Sequence, residues 1–132
     1  MPRWAVFVVL LAGCSWVDAP GNLPLRLLVE GDQATIDAGH AVNYNGCWPG
    51  EGCTMYLAGH RTTHGSVFAA VADLQPGDPV RVGHDGEVHE YVVTRHVLVD
   101  QHSQINDVLY GDLVLQTSAS NGKVHLVYCE GV

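Results

Sequence analysis

Short runs in which apolar residues alternate with polar or small ones recur along most of this chain, and the period is two, not the 3.6 of a helix. Leu25, Leu27 and Val29 alternate with Arg26, Leu28 and Glu30, and Met55 and Leu57 alternate with Tyr56 and Ala58. This is the pattern of half-buried strands. Further strand-like runs occupy Pro79 to His84, Glu87 to Val99, Leu113 to Ser118 and Lys123 to Glu130. Turn residues separate them: Gly31-Asp32, Asp85-Gly86 and Asn121-Gly122, the last two suited to tight hairpins. Ala34-Thr35-Ile36-Asp37 reads as a return strand after the first turn, and the long run ending at Val99 calls for a bend or bulge. One helix is expected, capped by Ser66, with Phe68, Val71 and Leu74 on its buried side and Pro76-Gly77 as its stop. Seven or eight short strands with a single short helix predict an all-β fold, a small closed or nearly closed barrel.

The first residues break the pattern. Met1-Pro2-Arg3 precedes the apolar run Trp4 to Gly13, which is too short to span a bilayer comfortably, since about 20 residues are needed for that. One positive charge, an apolar run and small residues at a cleavage point form a secretory signal peptide over residues 1–13. Leu11-Ala12-Gly13-Cys14 resembles the lipobox of bacterial lipoproteins, which implies a diacylglyceryl group on Cys14 as a membrane anchor. Residues 14–22 then read as a tether, and residues 23–132 as the one domain.

Composition narrows the partners. The chain has 132 residues, a formal net charge of −8 and a single lysine, Lys123. No basic stripe exists to neutralise phosphates, so nucleic acid is excluded as a partner, and charge-driven docking on anionic lipid is disfavoured. Export places the cysteines in an oxidising compartment. With Cys14 set aside, Cys47 and Cys53 flank a short turn-rich loop, Trp48-Pro49-Gly50-Glu51-Gly52, and a disulfide between them is expected. Cys129 is left over, and reads as a small buried hydrophobe.

The stretch with chemistry is Met55 to Gly65, where a strand delivers His60 to its open end beside Arg61. A solvated loop histidine is the bland alternative; a rigidly presented proton carrier is the chemical one. Tyr56-Leu57-Ala58-Gly59-His60-Arg61-Thr62-Thr63-His64-Gly65, followed by Phe68 and by Leu74-Gln75-Pro76-Gly77-Asp78, resembles the histidine region of the sortases, the cysteine transpeptidases of bacterial envelopes. The likeness is to the class E/F type of actinobacteria. It implies the sortase barrel, an envelope peptide or surface protein as partner, no cofactor, and an extracytoplasmic, monomeric protein.

The resemblance continues, altered, near the C-terminus. Sortases carry their cysteine at the end of a strand reading roughly L-T-L-x-T-C, with an arginine on the next strand. Leu113-Val114-Leu115-Gln116-Thr117-Ser118 is similar, with Ser118 in the nucleophile's place. On the following strand Lys123 stands as the candidate oxyanion cation, with His125 two residues on; Arg61 and Arg95 are the other cations able to line a groove. A lysine supplies charge but not the planar fork of a guanidinium. A serine hydroxyl also needs an aimed base, which a thiolate does not.

Cys129 is the rival nucleophile. If Asn121-Gly122 is a two-residue turn, Ser118 faces His125 and Cys129 faces Val114, ~13 Å down the strand from Ser118 and on the same face. That separation, and the three residues left behind Cys129, argue against it. A zinc site at His60 and His64 is disfavoured too, because Arg61 stands where H-E-x-x-H needs its glutamate. Whether the chain is an enzyme is therefore open. The first reading is a sortase-like envelope lipoprotein with His60 as acid/base and transpeptidation, or the related hydrolysis, impaired at Ser118. The alternatives are a non-catalytic peptide- or protein-binding module, such as a phage-encoded lipoprotein would be, and an active enzyme using Cys129.

Overall fold

A computed structural model describes residues 14–101 and 108–132. The elements in chain order are β1 (Ser15–Ala19), β2 (Leu23–Glu30), the five-residue helix α1 (Gln33–Asp37), β3 (Ala41–Asn43), β4 (Met55–Ala58), a 3-10 turn (Ala69–Asp73), β5 (Pro79–His84), β6 (Glu87–Asp100), β7 (Leu113–Ser118) and β8 (Lys123–Gly131). The strands close into a barrel in the order β1-β2-β3-β4-β7-β8-β6-β5. The sheet is mixed: β2 with β3 and β4 with β7 are parallel, and the other pairs are antiparallel. Closure removes the sheet edges that would otherwise invite pairing with other chains.

Period-two patterning places alternate residues on two faces. Val17, Leu28, Leu57, Val80, Val82, Leu113, Leu115, Val127 and Cys129 fill the barrel interior. The outer face of β4, β7 and β8 is apolar as well: Tyr56, Ala58, Val114, Val124, Leu126 and Tyr128 form a second buried cluster with Ile36 of α1 and Val108. Phe68, Val71 and Leu74, all fully buried, close one pole of the barrel. At the other, Trp48 lies parallel to His84 with ring centroids 4.2 Å apart and donates its indole N–H to Glu30. The Cys47–Cys53 disulfide, Cα–Cα 6.1 Å, ties the loop that carries Trp48.

Several expectations hold in detail. Asp85 and Gly86, with φ of 53° and 77°, form the two-residue hairpin between His84 and its partner Glu87. The bulge in β6 falls between Val93 and Arg95.

Others are corrected. Residues 14–22 are not a free tether, because Ser15–Ala19 is a barrel strand paired with β2 and β5. Its hold is chemical: Val17 and Ala19 are fully buried, and Asp18, 7% exposed, accepts two hydrogen bonds from Arg81 at 3.0 and 2.7 Å. Paired charges of this kind remove the cost of burying a carboxylate. The expected signal peptide, residues 1–13, lies outside the described residues. Ala34–Asp37 is helix, not return strand, because Asp32 caps it: the Asp32 carboxylate accepts from Thr35 N while the Thr35 hydroxyl accepts from Asp32 N. The expected helix after Ser66 shrinks to a 3-10 turn with no side-chain cap.

Trp16 covers Gly83 so closely that a Cβ there would lie 2.1 Å from its indole nitrogen. Gly83→Ala is therefore expected to push the indole off β5 and to destabilise the fold by about 1–3 kcal/mol, the usual range for overpacking. Chemical denaturation reads the loss, and a red-shifted tryptophan emission reads the displacement.

Candidate active site

The ladders across β4, β7, β8 and β6 line side chains up in rows on the outer face. Tyr56 pairs with Val114, Val114 with Tyr128, and Tyr128 with Arg95; one step along, Ala58 pairs with Gln116, Gln116 with Leu126, and Leu126 with Val97. Continuing the parallel β4–β7 register by two residues brings His60 level with Ser118, and Ser118 pairs with Val124, which pairs with Val99. Residues level on parallel neighbours point to the same face. Beyond the end of β4, Gly59 N donates to Gln116 O at 3.3 Å, and the buried Thr117 hydroxyl donates to Gly59 O at 2.9 Å. These bonds fix the His60 loop to the end of β7. Ser118 is exposed.

His60 is held by a directional network. Its Nε2–H donates to Asp37 Oδ1 at 2.8 Å, and the same oxygen accepts from Gln33 Nε2 at 2.9 Å. Gln33 first, then His60, hold the Asp37 carboxyl below its ordinary pKa of 3.8. At the other ring nitrogen, the Thr63 hydroxyl donates to Nδ1 at 3.2 Å and in turn accepts from His64 Nδ1–H at 2.9 Å. This chain is satisfied with both imidazoles neutral and both nitrogens of His60 engaged. For His60 to take a proton from a substrate or from Ser118, Thr63 must first release Nδ1.

Asp37 was missed in the sequence because its segment was read as a strand. The signal that finds it is Asp32-x-x-Thr35, a capping pattern that starts a helix one turn before Asp37.

The structure does not bring Lys123 to this row. It belongs to the opposite face and lies 3.7 Å from Asp100 Oδ1. His125 is engaged elsewhere: His96 Nδ1–H donates to Leu74 O at 2.7 Å, so His96 Nε2 accepts from His125 Nδ1–H at 2.8 Å. On β8, the residue beside Ser118 is Val124. Arg95 lies two rows down with its guanidinium 5.5 Å from the Tyr128 ring centroid, and Arg61, next to His60, has a buried Nε without a hydrogen-bond partner.

The His96–His125 pair has a consequence for stability. Burial first, then His96 and Arg61, lower the His125 pKa from 6.5. A histidine with a depressed folded-state pKa stabilises fully above its unfolded pKa, and the contribution is lost as pH falls through that value toward the lowered one. Denaturant midpoints are expected to decline as pH drops from about 7.5 toward about 5, starting near the unfolded histidine pKa of ~6.5. His125→Asn is expected to flatten that decline.

Cys129 is fully buried in the barrel interior, and burial raises its thiol pKa from 9.0 to about 12. The two-residue turn expected at Asn121-Gly122 is corrected by one residue: Ala119 N donates to Lys123 O, so Ser120, Asn121 and Gly122 form the connection. Cys129 therefore pairs with Leu113, not Val114, and Ser118 with Val124, not His125. The slip puts Cys129 on the opposite face from Ser118, five residues or ~16 Å down the strand. Cys14 is exposed at the start of β1. Among the described residues, the grouping with ligand-like spacing for a metal is Cys47, Glu51 and Cys53, whose two sulfurs are joined to each other.

A family model described as the sortase domain matches residues 18–132. Solved structures agree with it. The chain superposes on a sortase D5 transpeptidase of Clostridium perfringens with TM-score 0.76 and 19% identity, covering 91% of this chain and 79% of that one. On sortase E1 of Streptomyces coelicolor, solved with a tripeptide in its active site, the values are 0.75 and 20%, covering 91% and 88%. On sortase C of Streptococcus pneumoniae they are 0.77 and 18%, covering 99% and 74%. No curated protein matches the chain. At these identities the solved structures speak for the fold, and they span several sortase classes. A closed barrel that presents a histidine beyond β4 level with the end of β7, and a family model that covers it from Asp18 to Val132, lead to one assignment: the chain belongs to the sortase family.

Proposed function

We propose that this protein is an extracytoplasmic, lipid-anchored member of its family that holds an envelope peptide or surface protein at the His60 pole, and that its thiol-type transpeptidation is lost or weak because Ser118 stands in the nucleophile's place. The observation that carries the reading is the row His60–Ser118–Val124: a hydroxyl where the family's thiol belongs, with an apolar side chain beside it on β8. A serine needs a base aimed at its hydroxyl. Here both nitrogens of the base are bonded to Asp37 and Thr63. Cys129 does not rescue the chemistry, since a thiol with a pKa near 12 inside the barrel is neither ionised nor reachable. The membrane attachment rests on the lipobox-like Leu11-Ala12-Gly13-Cys14, and no helix among the described residues is long and apolar enough to cross a bilayer. The class E/F-like assignment rests on the Tyr56 to Gly65 motif alone.

The test is to incubate the protein with a fluorescent peptide carrying a Thr-Gly bond and, separately, with a thiol-reactive probe. Saturable peptide binding without cleavage, and no adduct at Cys129 in the folded protein, is the expected result. Cleavage accompanied by an acyl adduct on Cys129 would replace this reading with a working thiol enzyme.

A further inference from the structure

A pair of histidines lies on the face of β8 turned away from Ser118, and nothing in the proposed function uses it. In the β6–β8 ladder His96 pairs with Val127 and Leu98 with His125, so the two imidazoles stand diagonally across adjacent antiparallel strands, within side-chain reach. They share the face of the core residue Val127 and open onto a cleft of about 540 Å³ walled by Gln75, Pro76 and Leu98. His96 Nε2 and His125 Nδ1 are 2.8 Å apart, and the His96 Nδ1–H donates to Leu74 O at 2.7 Å. That carbonyl fixes the His96 tautomer, with the Nε2 lone pair toward His125, and it holds the ring still. A histidine that ligates a metal is oriented in the same way, by giving its other N–H to a carbonyl or carboxylate.

We propose that His96 Nε2 and His125 Nδ1 form a two-imidazole site for a divalent transition-metal ion of the zinc class. Bonds of about 2.0–2.1 Å in tetrahedral geometry set two nitrogens about 3.3 Å apart, so the pair opens by about 0.5 Å to admit the ion. The proton that His125 Nδ1 now donates moves to its Nε2 through solvent; the ring stays neutral and no proton is released overall. The surroundings select the ion. Arg61 opposes a positive charge at His125 and Asp73 favours one, so net charge does not draw a cation here. Selection falls to the imidazole nitrogens, which suit zinc, nickel and copper and not calcium or magnesium. Gln75 and water are left for the remaining positions. Bound there, the ion clasps β6 to β8 and, through His96 and Leu74, to the segment that closes the His60 pole.

Untagged protein is titrated with zinc chloride by calorimetry, alongside His96→Gln, His125→Gln and His64→Ala, each checked for folding by circular dichroism. Nickel-induced broadening of histidine ring resonances in the unaltered protein locates the ion without any substitution. The expected result is one ion per chain, with broadening at His96 and His125 ahead of the other histidines. Either glutamine variant is expected to weaken binding by about tenfold or more, no less than the loss of an outer-shell partner costs, and His64→Ala to leave it unchanged. Zinc at about ten times its Kd is then expected to raise the melting temperature by about 5 °C. Unweakened zinc binding in both glutamine variants, or no saturable binding up to millimolar zinc, overturns the site. Binding abolished by His64→Ala, with broadening first at His60 and His64, gives the ion to that pair, whose ring centroids lie 4.5 Å apart, and overturns this one. If neither glutamine variant folds, the nickel broadening alone decides.

Discussion

Ser118→Cys is expected to acquire a fast-labelling thiol at residue 118, in a protein whose Cys129 stays unlabelled until it unfolds. The contrast follows from ionisation. At pH 8 a thiol of ordinary pKa, ~8.5, is about one quarter thiolate, whereas one near 12 is thiolate to about one part in ten thousand. Before any difference in access, the two sites differ by roughly 10³ in reactive fraction. Ser118 is exposed at the strand end and Cys129 is fully buried, which widens the gap. The introduced thiol would also sit level with His60, so release of Nδ1 by Thr63 is expected to lower its pKa further and to permit slow cleavage of a Thr-Gly peptide. Rates of iodoacetamide labelling with peptide mapping check the first part, and chromatography of the peptide checks the second. Labelling at residue 118 no faster than at Cys129 would mean that the end of β7 does not face the His60 groove, and the placement of Ser118 in the nucleophile's position would fall.

What could be read from the residues alone divides along physical lines. Local signals were reliable where backbone chemistry leaves few choices: Asp85-Gly86 tolerates the left-handed region that a two-residue hairpin needs, and the closely spaced Cys47 and Cys53 reach bonding distance within one loop. The His60 end of β4 was legible because alternation stops there. β1 was not, since Ser15-Trp16-Val17-Asp18-Ala19 follows directly on the apolar stretch Trp4 to Gly13 and holds its place through partners remote in sequence, Arg81 and Gly83. α1 was hidden by its length. Five residues show too little periodicity to separate helix from strand, and only the Asp32 cap decides.

The register error at Asn121-Gly122 is the most instructive. Asn-Gly favours a two-residue turn, but here Ser120 joins the connection, and one extra residue reverses which side chains share a face. With that slip corrected, Lys123 and His125 leave the Ser118 row and Val124 enters it. The proposed loss of transpeptidation would then have a second cause beside the hydroxyl, the apolar Val124 in place of a cation next to Ser118. The separation of Cys129 from Ser118 survives the slip, since both registers keep the two four or five residues apart, while its place in the core comes from the corrected face.

Phe68→Ala is expected to be the most damaging single change at the His60 pole. The ring is fully buried, and it packs so tightly on the strand end that a Cβ on Gly59 would lie 2.9 Å from Phe68 Cγ. Its backbone N–H donates to His60 O at 3.0 Å, while Arg26 Nε holds the preceding carbonyl, that of Val67, at 3.2 Å. One residue thus seals the barrel and braces the loop that presents His60. Removing a buried phenyl ring costs about 3–5 kcal/mol, against a total of about 5–15 kcal/mol for a domain of this size. The melting temperature is expected to fall by roughly 10–20 °C, with peptide binding at the His60 pole lost before the fold is. Leu74→Ala, which opens a cavity in the same plug without touching the His60 loop, is expected to cost about 2–5 kcal/mol and to spare binding below its own transition. Calorimetry and a binding titration at about 20 °C separate the two effects. A Phe68→Ala loss below about 1 kcal/mol would show that the Phe68–Leu74 segment does not seal this pole in solution, and the rigid presentation of His60 would have to come from Asp37 alone.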